Sequence, residues 1–103
     1  MKVAVIGGGN VAVEEALYLS NLCRSVTLVH RRDRLRAEQI LQAKLRARTA
    51  PQGNIEILWN RVVEEVLGDD LLGVTGLRLR ATEGNTGTKD LPVSGVFVAI
   101  GHD

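Results

Sequence analysis

Three consecutive glycines at residues 7–9 constrain the fold of this chain more than any other feature of its sequence. The preceding residues, 3–6, are apolar and rich in β-branched side chains, which predicts a buried strand. After the glycines, apolar residues recur at helical spacing from residue 10 to residue 21, which predicts a helix. A strand, a glycine turn and a helix in this order are typical of a nucleotide-binding unit in a parallel sheet.

The next segments of the chain extend this unit into an alternation of strands and helices. Residues 25–30 and 54–59 predict two further strands, and residues 37–48 predict a second helix. The apolar face expected for that helix consists of Ala37, Ile40, Leu41 and Leu45. Because short connections join the elements in the order β–α–β–α–β, we expect a parallel sheet with right-handed crossovers.

The pattern changes after residue 60. Residues 61–67, 73–81 and 89–93 are strand-like and no helical pattern separates them, which predicts an antiparallel β-meander. Residues 95–100 are again apolar and predict a last parallel strand, buried beside the first. In a chain of 103 residues, these elements predict an α/β fold: a single three-layer, Rossmann-like nucleotide-binding domain over residues 1–103.

Charge and cysteine content narrow the function classes. Eight of the 13 basic residues lie within residues 24–50 although the formal net charge is only +1, so one end of the molecule is basic and favours a compact anionic partner. The single cysteine, Cys23, excludes a disulfide framework, a C-x-x-C pair and a Cys/His zinc site, and we interpret it as a small packing residue.

Met1 is followed at once by a strand-like run, and no apolar run is long enough to span a bilayer. We therefore expect a cytoplasmic protein without a targeting signal.

The glycine turn itself suggests a ligand. Gly7, Gly9 and Ala12 match the pattern G-x-G-x-x-A between a strand and a helix. In that pattern Gly7 would allow a tight turn, Gly9 would let the backbone approach a pyrophosphate, and Ala12 would let the helix pack closely on the sheet. The helix N-terminus would add N–H groups and a partial positive charge for the phosphates. A plain connecting loop is the alternative, and the βαβ context argues against it.

Basic residues come directly after the second predicted strand, where sites specific for NAD usually have an Asp or Glu that binds the ribose hydroxyls. Here the sequence is His30-Arg31-Arg32, with Arg34 and Arg36 close behind. Because a guanidinium pairs with a 2′-phosphate and a carboxylate repels it, this pattern favours NADP(H) over NAD(H).

Not all four arginines can reach one phosphate. We expect Arg31 and Arg36 to contact it, while Arg32 and Arg34 face water. His30 has two interpretations, stacking on the adenine or capping the strand. The alternatives for the whole basic run are a solvated loop and a small nucleic-acid-binding face, and the lack of aromatic residues within it argues against the second.

Three motifs, GGGNVAVEEALYL, VTLVHRRDRLRAE and FVAIGH, resemble the NADPH-binding domain of bacterial thioredoxin reductases, in the pyridine nucleotide-disulfide oxidoreductase family. The resemblance spans essentially the whole chain. It implies a single NADPH site. The residues that it implies at this site are Gly7, Gly8, Gly9, Asn10 and Val11 at the pyrophosphate, His30, Arg31, Arg32 and Arg36 at the 2′-phosphate, Glu14 near the nicotinamide, and Ala99, Ile100, Gly101 and His102 along the wall toward the flavin.

The sequence also departs from the family pattern. Val11 stands where Thr or Ser is often found, and Arg34-Leu35 stands where Gly-Phe is frequent. The C-x-x-C pair and the FAD domain of the family are absent, so we expect a fragment of a larger flavoenzyme. Such a fragment would bind NADPH without turnover and would have no catalytic or metal-binding residues of its own.

For the complete enzyme, the resemblance implies that hydride passes from NADPH to FAD and that electrons then reach a dithiol and a thioredoxin, in a homodimer. A ferredoxin–NADP reductase of the same architecture is the alternative. The segment 14–18, with the sequence EEALY, favours thioredoxin reductase.

Overall fold

The computed structural model describes residues 1–71, 73–84 and 87–99. Every predicted strand and helix is present as the predicted type, and the described bounds differ from the predicted ones by at most two residues. In chain order the elements are β1 (Lys2–Ile6), α1 (Asn10–Ser20), β2 (Ser25–Val29), α2 (Gln39–Ala47), β3 (Ile55–Leu58), β4 (Arg61–Asp69), β5 (Gly73–Ala81), β6 (Thr88–Pro92) and β7 (Gly95–Val98).

Two sheets organise these strands. One is parallel with the strand order β3-β2-β1-β7, and the other is antiparallel with the order β4-β5-β6. In the parallel sheet, Ile6 at the end of β1 lies opposite Val29 of β2 and Val98 of β7. The carboxyl ends of these three strands are therefore level, so the residues just beyond them share one edge of the sheet.

The core consists of two clusters, one on each face of the parallel sheet. Alternate residues of a strand point to opposite faces, so Val3 and Val5 contact the helices whereas Ala4 contacts the antiparallel sheet. On the helix side, α1 contributes Ala12, Val13, Ala16 and Leu19, and α2 contributes Leu45. On the other side, the antiparallel sheet contributes Leu77 and Leu79. The predicted three-layer α/β fold is thus confirmed.

Two expectations about burial are wrong. Ile40 is 63% exposed rather than part of the apolar face of α2, because it lies about 140° around the helix axis from the fully buried Leu45. The last strand, β7, pairs with β1 as expected but lies at the edge of its sheet, and its residue Val98 is 62% exposed. Pairing in the sheet does not bury this strand because no further strand or helix of the described chain covers its outer side.

The contrast between Leu45 and Ile40 predicts opposite outcomes for two truncations on one helix. Leu45→Ala should lower the free energy of unfolding by about 2–5 kcal/mol, since it leaves a cavity between α2 and the sheet. Ile40→Ala removes an exposed side chain of equal size and should change the same quantity by about 0.5 kcal/mol or less. Urea unfolding followed by circular dichroism measures both. Equal losses in the two variants would contradict this packing of α2.

Candidate functional site

The glycine turn lies where the ends of β1, β2 and β7 meet. Gly7 has a φ of +145°, and its N–H donates a hydrogen bond to the carbonyl of Val29 at 3.0 Å. A Cβ at position 7 would lie 2.6 Å from the carbonyl oxygen of Ala99 and 3.0 Å from the Cβ of Ala12. Both the backbone conformation and the space therefore require glycine, and Ala12 packs here as closely as its place in the motif suggests.

Helix α1 begins directly after this turn. Gly9 is its N-cap residue, without a side chain to accept a hydrogen bond, and the carbonyl of Gly9 accepts the first helical bond from Val13 at 3.1 Å. The N–H groups of the first turn have no partner within the helix and carry a partial positive charge. The side chain of Asn10 is engaged elsewhere, because its Oδ1 accepts a hydrogen bond from the N–H of Glu38 at 2.8 Å. Val11 is exposed.

His30 joins the glycine turn to the basic segment beyond β2. Its ring is 5% exposed and lies so close to Gly8 that a Cβ there would overlap it. Because the carbonyl of Arg34 accepts a hydrogen bond from Nε2 at 2.7 Å, Nε2 carries the proton. Trp59 contacts the ring edge-to-face, with 6.2 Å between ring centroids. The ring is thus held by packing and by this hydrogen bond, and its two interpretations, stacking on the adenine and capping the strand, stay predictions.

The basic segment, residues 31–36, forms an arginine loop. Its far end lies against the glycine turn, because the N–H of Arg36 donates to the carbonyl of Gly8 at 2.8 Å. All four arginine side chains of the loop are exposed. Within residues 1–71, 73–84 and 87–99, none of these four arginines forms an ion pair. In the described part of the chain, the loop thus presents positive charge that no ion pair neutralises.

The four arginines of the loop fall into two groups. A shallow depression of about 470 Å³ is lined by Arg31, Arg32 and Arg34 on the loop, with Asp33 between them. Asn60, Thr82 and Glu83 complete its lining. Arg36 lies outside this lining and is tied instead to the glycine turn. Arg32 and Arg34 share the depression with Arg31, and all four arginines are exposed, so the prediction of which ones contact a phosphate stays a prediction.

Burial and neighbouring charges act on the titration of His30. Burial lowers the pKa of this imidazole below its ordinary value of 6.5, and the hydrogen bond to the Arg34 carbonyl opposes that shift. The positive charges of Arg31, Arg32 and Arg36 lower the pKa further. The buried ring is therefore neutral at neutral pH.

The remaining predicted site residues are distributed along the chain. Glu14 is exposed on α1, while Glu15 is half-buried. Cys23 is half-buried against the core between helices and sheet. Ile100, Gly101 and His102 lie outside the described residues. Among the described residues there is no group of His, Cys, Asp and Glu that could hold a metal, and no helix long and apolar enough to cross a membrane.

Two residues of this site have roles that sequence reasoning misses. The motif assigns Gly8 only a place near the pyrophosphate and gives no indication of its contact with the His30 ring. Asn60 has no role in the motif, although its φ of +57° is the one left-handed non-glycine conformation within the described ranges. An asparagine between two strand-like runs is a signal for such a turn.

The pKa of His30 leads to a prediction about stability. The folded state binds this proton less readily than the unfolded chain, so the stability contributed by the neutral ring is complete above pH 6.5 and is lost as the pH falls through the folded-state value. In His30→Gln, the amide can still donate to the Arg34 carbonyl but does not titrate. Urea unfolding at pH 7.5, 6.5 and 5.5 should therefore give a shallower pH dependence for the variant, by at most about 1.4 kcal/mol per pH unit. Parallel pH profiles would contradict the assigned neutral histidine.

Comparison with known protein sequences agrees with the family resemblance of the sequence motifs. The family model described as pyridine nucleotide-disulphide oxidoreductase matches residues 2–86. A thioredoxin reductase from Coxiella burnetii is 56% identical over 102 residues, which cover 99% of this chain and 31% of that protein. A glucosaminate ammonia-lyase from Pseudomonas fluorescens is 56% identical over 100 residues, covering 97% of this chain and 30% of that protein.

Comparison with a solved structure supports the same family. The thioredoxin reductase of Streptococcus pyogenes superposes with a TM-score of 0.83 at 40% identity, over 97% of this chain and 31% of that one. The chain thus spans about a third of the length of the relatives that it matches. With the matched residues, the glycine turn and the sheet order in agreement, the chain belongs to the pyridine nucleotide-disulphide oxidoreductase family.

Proposed function

We propose that this chain binds NADPH and forms the pyridine-nucleotide-binding domain, residues 1–103, of a larger flavoenzyme of the thioredoxin reductase type. The observation that carries the proposal is the arginine loop. It presents four exposed guanidinium groups without an ion pair in the described chain, and the N–H of Arg36 bonds it to Gly8 in the turn that would hold the pyrophosphate.

The pyrophosphate would be held by backbone rather than by side chains. At Gly7 the chain leaves no room for a Cβ, and at Gly9 the helix has no side-chain cap, so the first N–H groups of α1 remain available to an anion. Asn10 and Val11 would contribute through their backbone, since the Asn10 side chain is bonded to Glu38 and Val11 has no hydroxyl. These residues fit a dinucleotide.

The 2′-phosphate distinguishes NADPH from NADH. It would meet Arg31, Arg32 and Arg36, whose guanidinium groups suit a phosphate dianion better than the carboxylate of Asp33 does, since Asp33 carries a single charge. Each charged hydrogen bond to the phosphate would contribute about 1.5–3 kcal/mol. His30 would act indirectly, as a neutral ring that supports the Arg34 carbonyl.

NADPH supplies a hydride when it is bound, and this chain's residues bind and orient it. Glu14 and the segment Ile100-Gly101 are proposed to border the nicotinamide end. FAD, a dithiol, thioredoxin, a dimeric assembly and a cytoplasmic location are proposals for the larger protein, of which the chain corresponds to about a third in its relatives.

Two alternatives for the larger protein differ in the group that receives electrons from the nucleotide. The named thioredoxin reductases support that activity for the larger protein over a ferredoxin–NADP reductase. However, a relative named for another activity, glucosaminate ammonia-lyase, is equally similar to this segment. The nucleotide is therefore the part of the function to test on this chain.

Calorimetric titration with NADPH and NADH tests the proposal. The wild-type chain should prefer NADPH, and Arg31→Ala and Arg36→Ala should each weaken NADPH binding by about 10- to 150-fold while NADH binding changes little. Truncating Arg36 leaves its backbone bond to Gly8 intact, so the loss would report the guanidinium. Arg46→Ala is the matched control, because it removes an equal charge from the exposed face of α2.

Two results would contradict the proposal. One is equal affinity of the wild-type chain for the two nucleotides. The other is an equal effect of the Arg31, Arg36 and Arg46 substitutions, which would mean that only the overall charge matters. Salt-dependent binding of DNA without any nucleotide preference would instead favour the nucleic-acid alternative.

A further inference from the structure

The turn between β3 and β4, residues 59–60, holds the backbone of the arginine loop. The N–H of Asn60 donates to the carbonyl of Arg32 at 3.1 Å, and the N–H of Arg61 donates to the carbonyl of His30 at 3.0 Å. Asn60 and the first residue of β4, Arg61, therefore both donate hydrogen bonds to the segment that carries the positive charge.

The backbone conformation of Asn60 makes this arrangement possible. Its φ of +57° lies in the left-handed region, which asparagine tolerates better than most residues and which β-branched residues strongly disfavour. While its N–H reaches Arg32, its carbonyl accepts a hydrogen bond from the N–H of Thr82 at 2.9 Å. The guanidinium of Arg61 donates to the same carbonyl at 3.2 Å and to that of Trp59 at 2.9 Å. The turn is thus fixed on both sides.

The backbone from residue 30 to residue 34 is consequently held at every second residue. The carbonyls of His30, Arg32 and Arg34 accept hydrogen bonds from Arg61, Asn60 and the His30 ring, respectively. The side chains of Arg31, Arg32 and Arg34 nevertheless stay exposed around the depression. Holding a backbone that carries several mutually repelling charges lowers the ordering cost when an anion binds.

We propose that Asn60 is a positioning residue that sets the preference for a 2′-phosphorylated nucleotide by fixing the part of the loop that carries Arg31 and Arg32. This inference rests on the proposed function. The glycine turn is attached to the far end of the loop through Arg36, and within the described residues no backbone hydrogen bond joins that turn to Asn60. Displacing the loop at Asn60 therefore weakens the 2′-phosphate contacts and leaves the pyrophosphate contacts in place.

A matched pair of substitutions separates the backbone of Asn60 from its side chain. Asn60→Gly and Asn60→Val both remove the amide group, but only glycine accepts the positive φ without strain. The ratio of the NADH to the NADPH dissociation constant, measured by calorimetry, should fall about tenfold in Asn60→Val and stay within about threefold of the wild-type ratio in Asn60→Gly. The ratio for Asn60→Ala, in which the backbone strain is smaller, should lie between these two values. Asn60→Ala replaces Asn60→Val if the valine variant does not fold.

The outcomes are distinguishable. A folded valine or alanine variant with an unchanged ratio, or with equal losses for both nucleotides, would overturn the role of Asn60 while leaving the proposed function intact. An equal fall of the ratio in Asn60→Gly would also overturn this role of the backbone, because the amide side chain would then be responsible for the preference. A wild-type chain without any preference for NADPH would overturn the proposed function, and this inference with it.

Discussion

The close approach of three parallel strand ends at Gly7 is the constraint on which the site depends. The Gly7 N–H bonds to Val29 while its α-carbon faces the carbonyl of Ala99, so β1, β2 and β7 converge with no room for a side chain. Helix α1 then begins three residues later, at Asn10, and packs through Ala12. The level strand ends also bring the arginine loop, which lies just beyond β2, beside the start of α1. One steric requirement therefore aligns the backbone N–H groups and the guanidinium groups at a single edge.

The electrostatics of this edge are held in place by neutral interactions. The arginines repel one another, and in the described chain no carboxylate lies within ion-pair distance of them. Backbone hydrogen bonds and the buried His30 oppose that repulsion, and His30 can do so only as a neutral ring, because a proton there would add a buried positive charge beside three arginines. The positive charge at this edge is held on a fixed backbone. A bound anion would therefore reduce the electrostatic repulsion among the arginines.

Local periodicity and chain order are enough to predict most of the fold. Strand and helix types, the parallel order and the meander arise from patterns of a few residues, and the glycine turn has a strong local signature. Ile40 is misassigned by such a pattern because an apolar residue in the first helical turn is grouped with Leu45 without regard to its rotation around the axis. The contacts of Gly8 with His30, and of Asn60 with Arg32, join residues more than 20 positions apart. Local patterns contain no information about such pairs.

The antiparallel sheet both buries part of the core and supports the arginine loop. Its inner residues, Leu77 and Leu79, bury one face of the parallel sheet. Its first residue, Arg61, bonds to the carbonyl of His30, and the preceding Asn60 bonds to that of Arg32 and is itself held by Thr82 after β5. Packing of the two sheets thus determines where Asn60 meets Arg32, because the next residue, Arg61, is paired with Ala81 at the end of β5. A shift of one sheet on the other would move the loop carbonyls relative to their donors. The position of the arginine loop at the edge therefore depends on apolar contacts in the layer below it.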